Sequence, residues 1–349
     1  MEREKLLFIY PKLFTFIDTE IKILSGSFEV IIIKQNWTNK FLLPINFFIQ
    51  FIYLLFNIHK FRVILVSFGG YWSFFPVFFS KLFNKKIAIV VHGTDCVSFP
   101  EINYGNLRSP LMRFFTAYSY RKSDIILPVS QSLVDTENTY YKKNEIYKFG
   151  YLVHLSNITT PHTVIPNGLI LNDWNPNPDV SKIHKTFISV MTKDQLLRKG
   201  ANLIFKTANL LPDCTFYIAG TANNEVDIKV SENVIFLGRL SPYDLKIWYE
   251  KTQFYLQLSL FEGFGVAICE AMLCKCIPIV SNVNYLPEIA KNVGFVLNHR
   301  DTEMLYNLII SILSNDKIDN YGTLARDRIL KNYSSENRRD MIIDVLNRL

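Results

Sequence analysis

The chain has 349 residues, of which 49% are hydrophobic, 14% aromatic and 20% charged, a composition that excludes a disordered chain and supplies apolar material for two domains of ordinary size. The net charge of +7 lies entirely in residues 1–165, which carry 18 Lys/Arg against 11 Asp/Glu, while residues 166–349 balance at 20 against 20. A basic half suits an anionic lipid surface, a phosphorylated acceptor or plain solvent; nucleic acid is not expected as a partner, because the sequence carries no recognised binding module or aromatic-basic platform.

The first residues, Met1-Glu-Arg-Glu-Lys, run straight into an apolar stretch without the h-region and cleavage site of a signal peptide, so a cytoplasmic protein is expected. Short apolar runs then recur at 6–10, 30–33, 63–66, 87–91, 125–128 and 163–165, with helix-length segments between them. That rhythm predicts βαβ units and a doubly wound parallel sheet, whose ligands gather at the carboxyl ends of the strands.

Residues 41–58 hold no charge for 18 positions, the lower limit of a membrane-spanning helix. Pro44, Asn46, Gln50 and Asn57 interrupt the run, and a span would set the strands 30–33 and 63–66 on opposite sides of a bilayer. The expectation is a helix packed on the sheet or lying against a membrane surface, with the first domain peripheral on the inner face of the cytoplasmic membrane. Residues 63–80 read as strand, Gly69-Gly70 turn and helix.

After Pro166-Asn167-Gly168 a polar passage through Pro178 has linker composition. A second series of apolar runs follows at 186–190, 215–219, 234–237, 254–258, 276–280 and 294–297. The domains expected are 1–165 and 166–333, with a last helix at 334–349, capped by Ser334-Ser335-Glu336, packing back on the first. Cys274-Lys-Cys276 lacks the two-residue gap of zinc and thioredoxin motifs, and no metal is expected.

The strongest chemical signal is Ser259-Leu-Phe-Glu262-Gly263-Phe264-Gly265-Val266-Ala-Ile-Cys-Glu270, between a strand and a helix. Its glycines admit close approach of backbone N–H groups, and the helix start favours an anion such as a diphosphate. This segment resembles the Glu-x7-Glu motif of retaining GT-B glycosyltransferases of family four, the glycosyl transferases group 1. The resemblance implies two Rossmann-like doubly wound domains facing a cleft. It implies that Glu262 faces the transferred sugar, that Gly263, Phe264, Gly265 and Val266 line sugar and diphosphate, and that Glu270 holds the ribose.

Upstream, Arg198-Lys199-Gly200 is similar to the family's Lys-Gly pair, which implies that Lys199 meets the diphosphate and stabilises the leaving group. Where the family usually has Arg after the preceding strand, Met191-Thr192-Lys193-Asp194 stands, and Lys193 is the substitute, without the bidentate fork of Arg. His92, in Val91-His92-Gly93-Thr94-Asp95, resembles the family histidine near the donor sugar, with Asp95 toward the acceptor. By the same resemblance Gly238 and Arg239 are expected near the nucleotide base. The family's Gly-rich acceptor loop is replaced by Tyr10-Pro11-Lys12-Leu13-Phe14, so Gly69 and Gly70 are the acceptor-side candidates.

The resulting expectation is a metal-independent retaining hexosyltransferase of cell-surface polysaccharide biosynthesis. Its co-substrate is a nucleotide-diphosphate sugar, it needs no cofactor, and its acceptor is a saccharide or lipid-linked. Two alternatives remain open at this point: a non-catalytic nucleotide-sugar or membrane-binding protein of the same fold, and a GT-B epimerase or phosphorylase.

Overall fold

The structure is a computed structural model that describes residues 3–226 and 228–349; Met1 and Glu2, the head of the charged N-terminal run, lie outside the described residues. The chain divides into two compact units, the first made of Met1–Thr136, Lys148–Gly168 and Ser335–Leu349, the second of Glu137–Tyr147 and Leu169–Ser334.

In the first unit β1 (Lys5–Ile9), β2 (Glu29–Ile32), β3 (Val63–Ser67), β4 (Lys86–Val91) and β5 (Ile125–Pro128) pair in parallel in the order β2-β1-β3-β4-β5. The inner strands are unbroken apolar runs because both faces of a parallel sheet are covered by helices: β3 is buried at every position. Between the strands lie α1 (Thr15–Leu24), α2 (Leu43–Asn57), α3 (Tyr71–Leu82) and α4 (Pro110–Lys122). The step from β1 to β2 runs toward one edge and the next three steps run the other way. Right-handed crossovers therefore set α1 on one face and α2, α3 and α4 on the other.

The run 163–165 is not a strand of the sheet. Its N–H groups at Thr163 and Ile165 donate to the β5 carbonyls of Ile126 and Pro128, at 3.0 and 2.9 Å, but only the bridge Ile126 to His162 is formed. Proline at 161 and 166 denies the segment further ladder donors. The uncharged run 41–58 gives α2, 15 residues and so roughly 22 Å long at about 1.5 Å per residue. No helix among the described residues is long and apolar enough to cross a membrane.

Two short strands, β6 (Thr136–Asn138) and β7 (Tyr147–Phe149), pair with each other, and α5 (Tyr151–His154) follows. The second unit then holds β8 (Ile183–Val190), α6 (Ala201–Leu210), β9 (Thr215–Ala219), β10 (Val234–Gly238), α7 (Pro242–Lys251), β11 (Thr252–Gln257), α8 (Val266–Leu273), β12 (Ile277–Ser281), α9 (Leu286–Ala290), β13 (Phe295–Leu297), α10 (Thr302–Leu313) and α11 (Ile318–Asn332). All six strands are parallel in the order β10-β9-β8-β11-β12-β13. This is the doubly wound dinucleotide-type order, and its direction reverses between β8 and β11. Phe187, on β8, stacks on Phe216 of β9 and Phe254 of β11 at centroid distances of 4.8 and 4.9 Å, one aromatic layer beneath that reversal.

The last helix, α12 (Ser335–Arg348), belongs to the first unit and packs on α1. There the guanidinium of Arg338, 4% exposed, donates at 2.6 Å to the carboxylate of Glu20, 2% exposed, and also to the carbonyls of Ile165 and Pro166.

Candidate active site

In a doubly wound sheet a ligand lies outside the carboxyl ends of the strands, where the order reverses. In the second unit the loops at that point follow β8 and β11. The first contains Lys193, Arg198, Lys199 and Gly200; the second runs from Leu258 to Gly265. They are joined by a backbone hydrogen bond from Leu260 N–H to the Arg198 carbonyl at 2.7 Å. Gly200 is in the left-handed region (φ +78°), and a Cβ there would sit 2.5 Å from the Leu258 carbonyl oxygen, so the approach requires glycine. Gly265 (φ +110°) is the N-cap of α8, where a Cβ would press on Ile268 and Leu286 at 3.0 Å.

These loops bring three of the predicted side chains together. Lys199 is half-buried and its ammonium donates to the Val190 carbonyl at 2.9 Å. Burial pulls its pKa down, the Glu262 and Glu270 carboxylates push it up, and the net direction is below the ordinary lysine value. Glu262 Oε2 accepts from Gln257 Nε2 at 3.0 Å and Ser259 Oγ at 3.4 Å, and lies 3.6 Å from Arg198 Nη1, which also donates to the Phe261 carbonyl at 3.0 Å. Backbone N–H of Glu262 donates to Asn284 Oδ1 at 3.1 Å, while Asn284 Nδ2 is buried without a partner.

Glu270, on the first turns of α8, has its carboxyl pushed up to about 8 by burial, with Lys199 opposing the shift. A carboxyl at about 8 in the fold and about 4.5 in the open chain makes the fold the better proton binder, so ligand-free stability falls as pH rises from 4.5 to 8. Glu270→Gln should remove that slope and leave the variant more stable than the parent above pH 8, on the order of a few kcal/mol. Thermal midpoints measured from pH 5 to 9 check this; parallel curves for the two proteins would refute it.

Other predicted residues sit differently. Phe264 is 2% exposed, its ring stacked on Tyr285 (5.6 Å) and set edge-on to Tyr333 (5.4 Å), so only its backbone is available to a ligand. Gly263 is buried in the turn and Val266 is half-buried at the start of α8. Lys193 is exposed after β8. Gly238 (φ +66°) ends β10 with nothing within 4 Å of where a Cβ would stand, and Arg239 beside it is exposed.

In the first unit the corresponding loops follow β1, β3 and β4. His92 Nε2 lies 2.8 Å from Ser67 Oγ, its ring packs against Phe16 and Phe68, and Nδ1 is buried without a partner. Burial, and secondarily the Arg338 charge, hold its pKa well below the usual value, so the ring is neutral at pH 7.

Asp95 is not turned toward an acceptor. It is fully buried, and its carboxylate accepts from Gly69 N–H (3.0 Å), Tyr120 O–H (2.8 Å), Gly93 N–H (3.0 Å) and His92 N–H (3.3 Å). It ties the loops after β3 and β4 together. Gly69 and Gly70 are buried too, because Tyr120 and Trp72 fill the space a side chain would need.

What opens at these strand ends instead is a cavity of about 630 Å³ lined by Pro11, Phe14, Trp37, Phe68, Tyr71, Trp72, Thr94, Arg108 and their neighbours. It touches the loops after β1 and β3, where this sheet reverses its order. A cavity of about 680 Å³ in the second unit has no residue of the Gly263–Gly265 turn in its lining. Lys182 lines it, but its ammonium is spent on the carbonyls of Tyr249, Thr252 and Cys274.

Sequence reasoning did not single out Arg198, Gln257, Ser259 or Asn284 beside Glu262, nor Ser67 beside His92 and Tyr120 on Asp95. Arg198 carried a signal, standing directly before Lys199; Gln257 and Ser259 meet Glu262 within five positions of the chain, while Asn284, Ser67 and Tyr120 find their partners in separate segments. Among the described residues no three His, Cys, Asp or Glu side chains are gathered as a metal would require, and Cys96, Cys214, Cys269, Cys274 and Cys276 are all free and buried.

Both units have parallel doubly wound sheets whose order reverses once, and known structures share that architecture over the whole chain. Sucrose-phosphate synthase from Thermosynechococcus elongatus superposes with a TM-score of 0.76 at 13% identity, covering 99% of each chain. HepE of Anabaena, in complex with UDP and glucose, superposes with a TM-score of 0.74 at 15% identity, covering 100% of each. The fold is GT-B. Residues 176–328 match the family model described as glycosyl transferases group 1. Among curated proteins, the phosphatidylinositol N-acetylglucosaminyltransferase gpi3 subunit of Schizosaccharomyces pombe is 25% identical over 64% of this chain and 52% of its own length. The chain spans about half the length, or less, of the first curated relatives it matches.

Proposed function

We propose that the protein transfers a sugar, with retention of anomeric configuration, from a nucleoside-diphosphate sugar to a saccharide or lipid-linked acceptor. The observation that carries this reading is the meeting of the Lys199 loop and the glycine turn at the order reversal of the second sheet, with Glu262 and Glu270 electrostatically coupled to the Lys199 ammonium. That arrangement suits a diphosphate: the α8 N-terminus and Lys199 supply positive charge where the leaving group gains negative charge. Arg198 holds Glu262 in position for the sugar, and Asn284 Nδ2 offers a spare donor beside it. Glu270 accepts from the ribose, and Gly238 and Arg239 stand toward the base.

In the reaction the bond from the anomeric carbon to the β-phosphate oxygen breaks, the acceptor oxygen bonds to the same face of that carbon, and its proton passes to the departing diphosphate. No pair of enzyme carboxylates flanking the bond is used, unlike glycoside hydrolysis. His92 offers its free nitrogen to a substrate hydroxyl. The aromatic cavity suits an acceptor sugar, whose C–H faces pack on rings, with Arg108 at hand for an anionic group. The name of the lipid-glycosylating relative and the UDP and glucose in the neighbour's title support this choice of substrates. A cytoplasmic location fits five free buried thiols.

The test is a panel of nucleotide sugars, read first as thermal stabilisation of the purified protein and then as released nucleoside diphosphate with and without acceptor pools. Stabilisation by one donor of several degrees, and release that depends on acceptor, are expected. Sugar isomerisation without acceptor would point to an epimerase, and stabilisation without turnover under any acceptor would point to a binding protein.

A further inference from the structure

The outward face of α2 is not that of a water-facing helix. The side chains it buries are Asn46, Gln50 and Leu54, and Phe47 and Phe51 pack against Phe75 and Phe79 of α3. Gln50 Nε2 donates to the Trp72 carbonyl at 3.1 Å and Asn46 Nδ2 to the Asn36 carbonyl at 2.8 Å. The side chains it turns outward are apolar: Phe41, just before the helix, is 93% exposed, Phe48 67% and Phe56 65%, with Ile45, Ile49 and Ile52 between them. From 41 to 56 no exposed position carries a polar or charged side chain. Its two inward amides each donate to a backbone carbonyl, so hydrogen bonds hold these polar side chains inward.

The patch continues across the same layer. On α3, which packs on α2, Phe78 and Leu82 are exposed, and on α4, next to α3, Leu111 and Phe114 are exposed. An exposed surface of this kind marks a binding face, since a soluble surface scatters such residues singly. Charge identifies the occupant. These three helices contain no Asp or Glu; their charged residues are Lys81, Arg113, Arg121 and Lys122, and only Lys81 is paired with a carboxylate, that of Asp124. On the opposite face of the sheet α1 and α12 carry Asp18, Glu20, Glu336, Asp340 and Asp344 against Lys22, Arg338, Arg339 and Arg348, most of them in ion pairs. One face is thus apolar and cationic and the other close to neutral, and the first has the polarity of a surface that lies on anionic lipid.

We propose that the α2–α3–α4 face docks the protein on an anionic lipid bilayer, with the outward stripe of α2 immersed among the acyl chains near the headgroups and Arg113, Arg121 and Lys122 against the phosphates. A helix of 15 residues cannot cross the bilayer but can lie in its surface. This inference does not rest on the transferase reading: vesicle binding and nucleotide release are separate measurements, and either can fail alone.

The experiment is flotation of the full chain with vesicles of phosphatidylglycerol and phosphatidylcholine, and with phosphatidylcholine alone. The parent protein should float with the anionic vesicles and much less with the neutral ones, and added salt should weaken the binding. Phe48→Glu with Ile52→Glu should reduce the bound fraction about tenfold, and Arg121→Glu with Lys122→Glu several-fold, both with an unchanged thermal midpoint because all four side chains are on the surface. If the parent ignores anionic vesicles, or if the Phe48→Glu, Ile52→Glu protein floats as the parent does, the proposal is overturned. It is overturned equally if sedimentation without lipid shows a dimer that this double variant splits, which would assign the face to a second copy of the chain.

Discussion

Lys199→Ala is expected to lower turnover by about 10²–10³-fold while the protein stays folded, the size of loss seen when one preorganised charge is removed from the site of developing negative charge. The ammonium is held beside the helix start that would meet a diphosphate, and it is already desolvated, so it needs no reorganisation when the glycosidic bond breaks. The same desolvation means that its removal relieves a burial cost, and the thermal midpoint should change little beyond the loss of the hydrogen bond to Val190. Lys193→Ala, on an exposed side chain after the same strand, should cost no more than a few-fold. Steady-state release of nucleoside diphosphate by the two variants checks both statements. Equal losses would mean that the cation acting on the leaving group is not Lys199.

The largest stability effect is expected at Arg338→Met, at about 3–5 kcal/mol, since one partner of a buried ion pair is removed and Glu20 is left as an uncompensated buried carboxylate. Arg338 also supplies the hydrogen bonds to the carbonyls of Ile165 and Pro166, so the variant leaves those acceptors unmet as well. Adding Glu20→Met should recover much of the loss, because a well-packed apolar pair replaces the ion pair without a stranded charge. Urea unfolding of the two single variants and the double variant forms the cycle that measures this coupling. Additive losses would show that the pair contributes through packing alone.

The parallel sheets were legible in the sequence because a strand covered on both faces has to be apolar throughout, and nearly every such run became a strand. The exception, 163–165, shows the limit of the signal: apolar residues between two prolines follow β5 for a few hydrogen bonds and go no further. The glycine turn and the Lys-Gly pair were legible for a similar reason. Only glycine fits the left-handed conformations at 200 and 265 against the crowded backbone and side chains there, so their presence after apolar runs is a direct record of a local constraint.

Residues whose role depends on a distant partner were not legible. Asp95 and Gly69 lie in loops of the kind that bind ligands, and only the structure shows that the carboxylate is consumed by Gly69, Tyr120 and the His92-Gly93 backbone. The uncharged run at 41–58 announced an apolar helix, but its direction of facing depends on where Asn46 and Gln50 find carbonyls to satisfy them. Trp37, Tyr71 and Arg108 come from three separate segments and share a cavity only in the folded unit.

By itself, then, the sequence determined which segments are strands and where a backbone can turn tightly toward an anion, because burial and steric limits act within a few residues. Which loops become neighbours was decided only by the tertiary structure: the order β10-β9-β8-β11-β12-β13 brings the loop after β8 against the loop after β11, some sixty residues apart, through the reversal of crossover direction. Such pairings follow from the packing of whole helices on both faces of a sheet, and no local pattern records them.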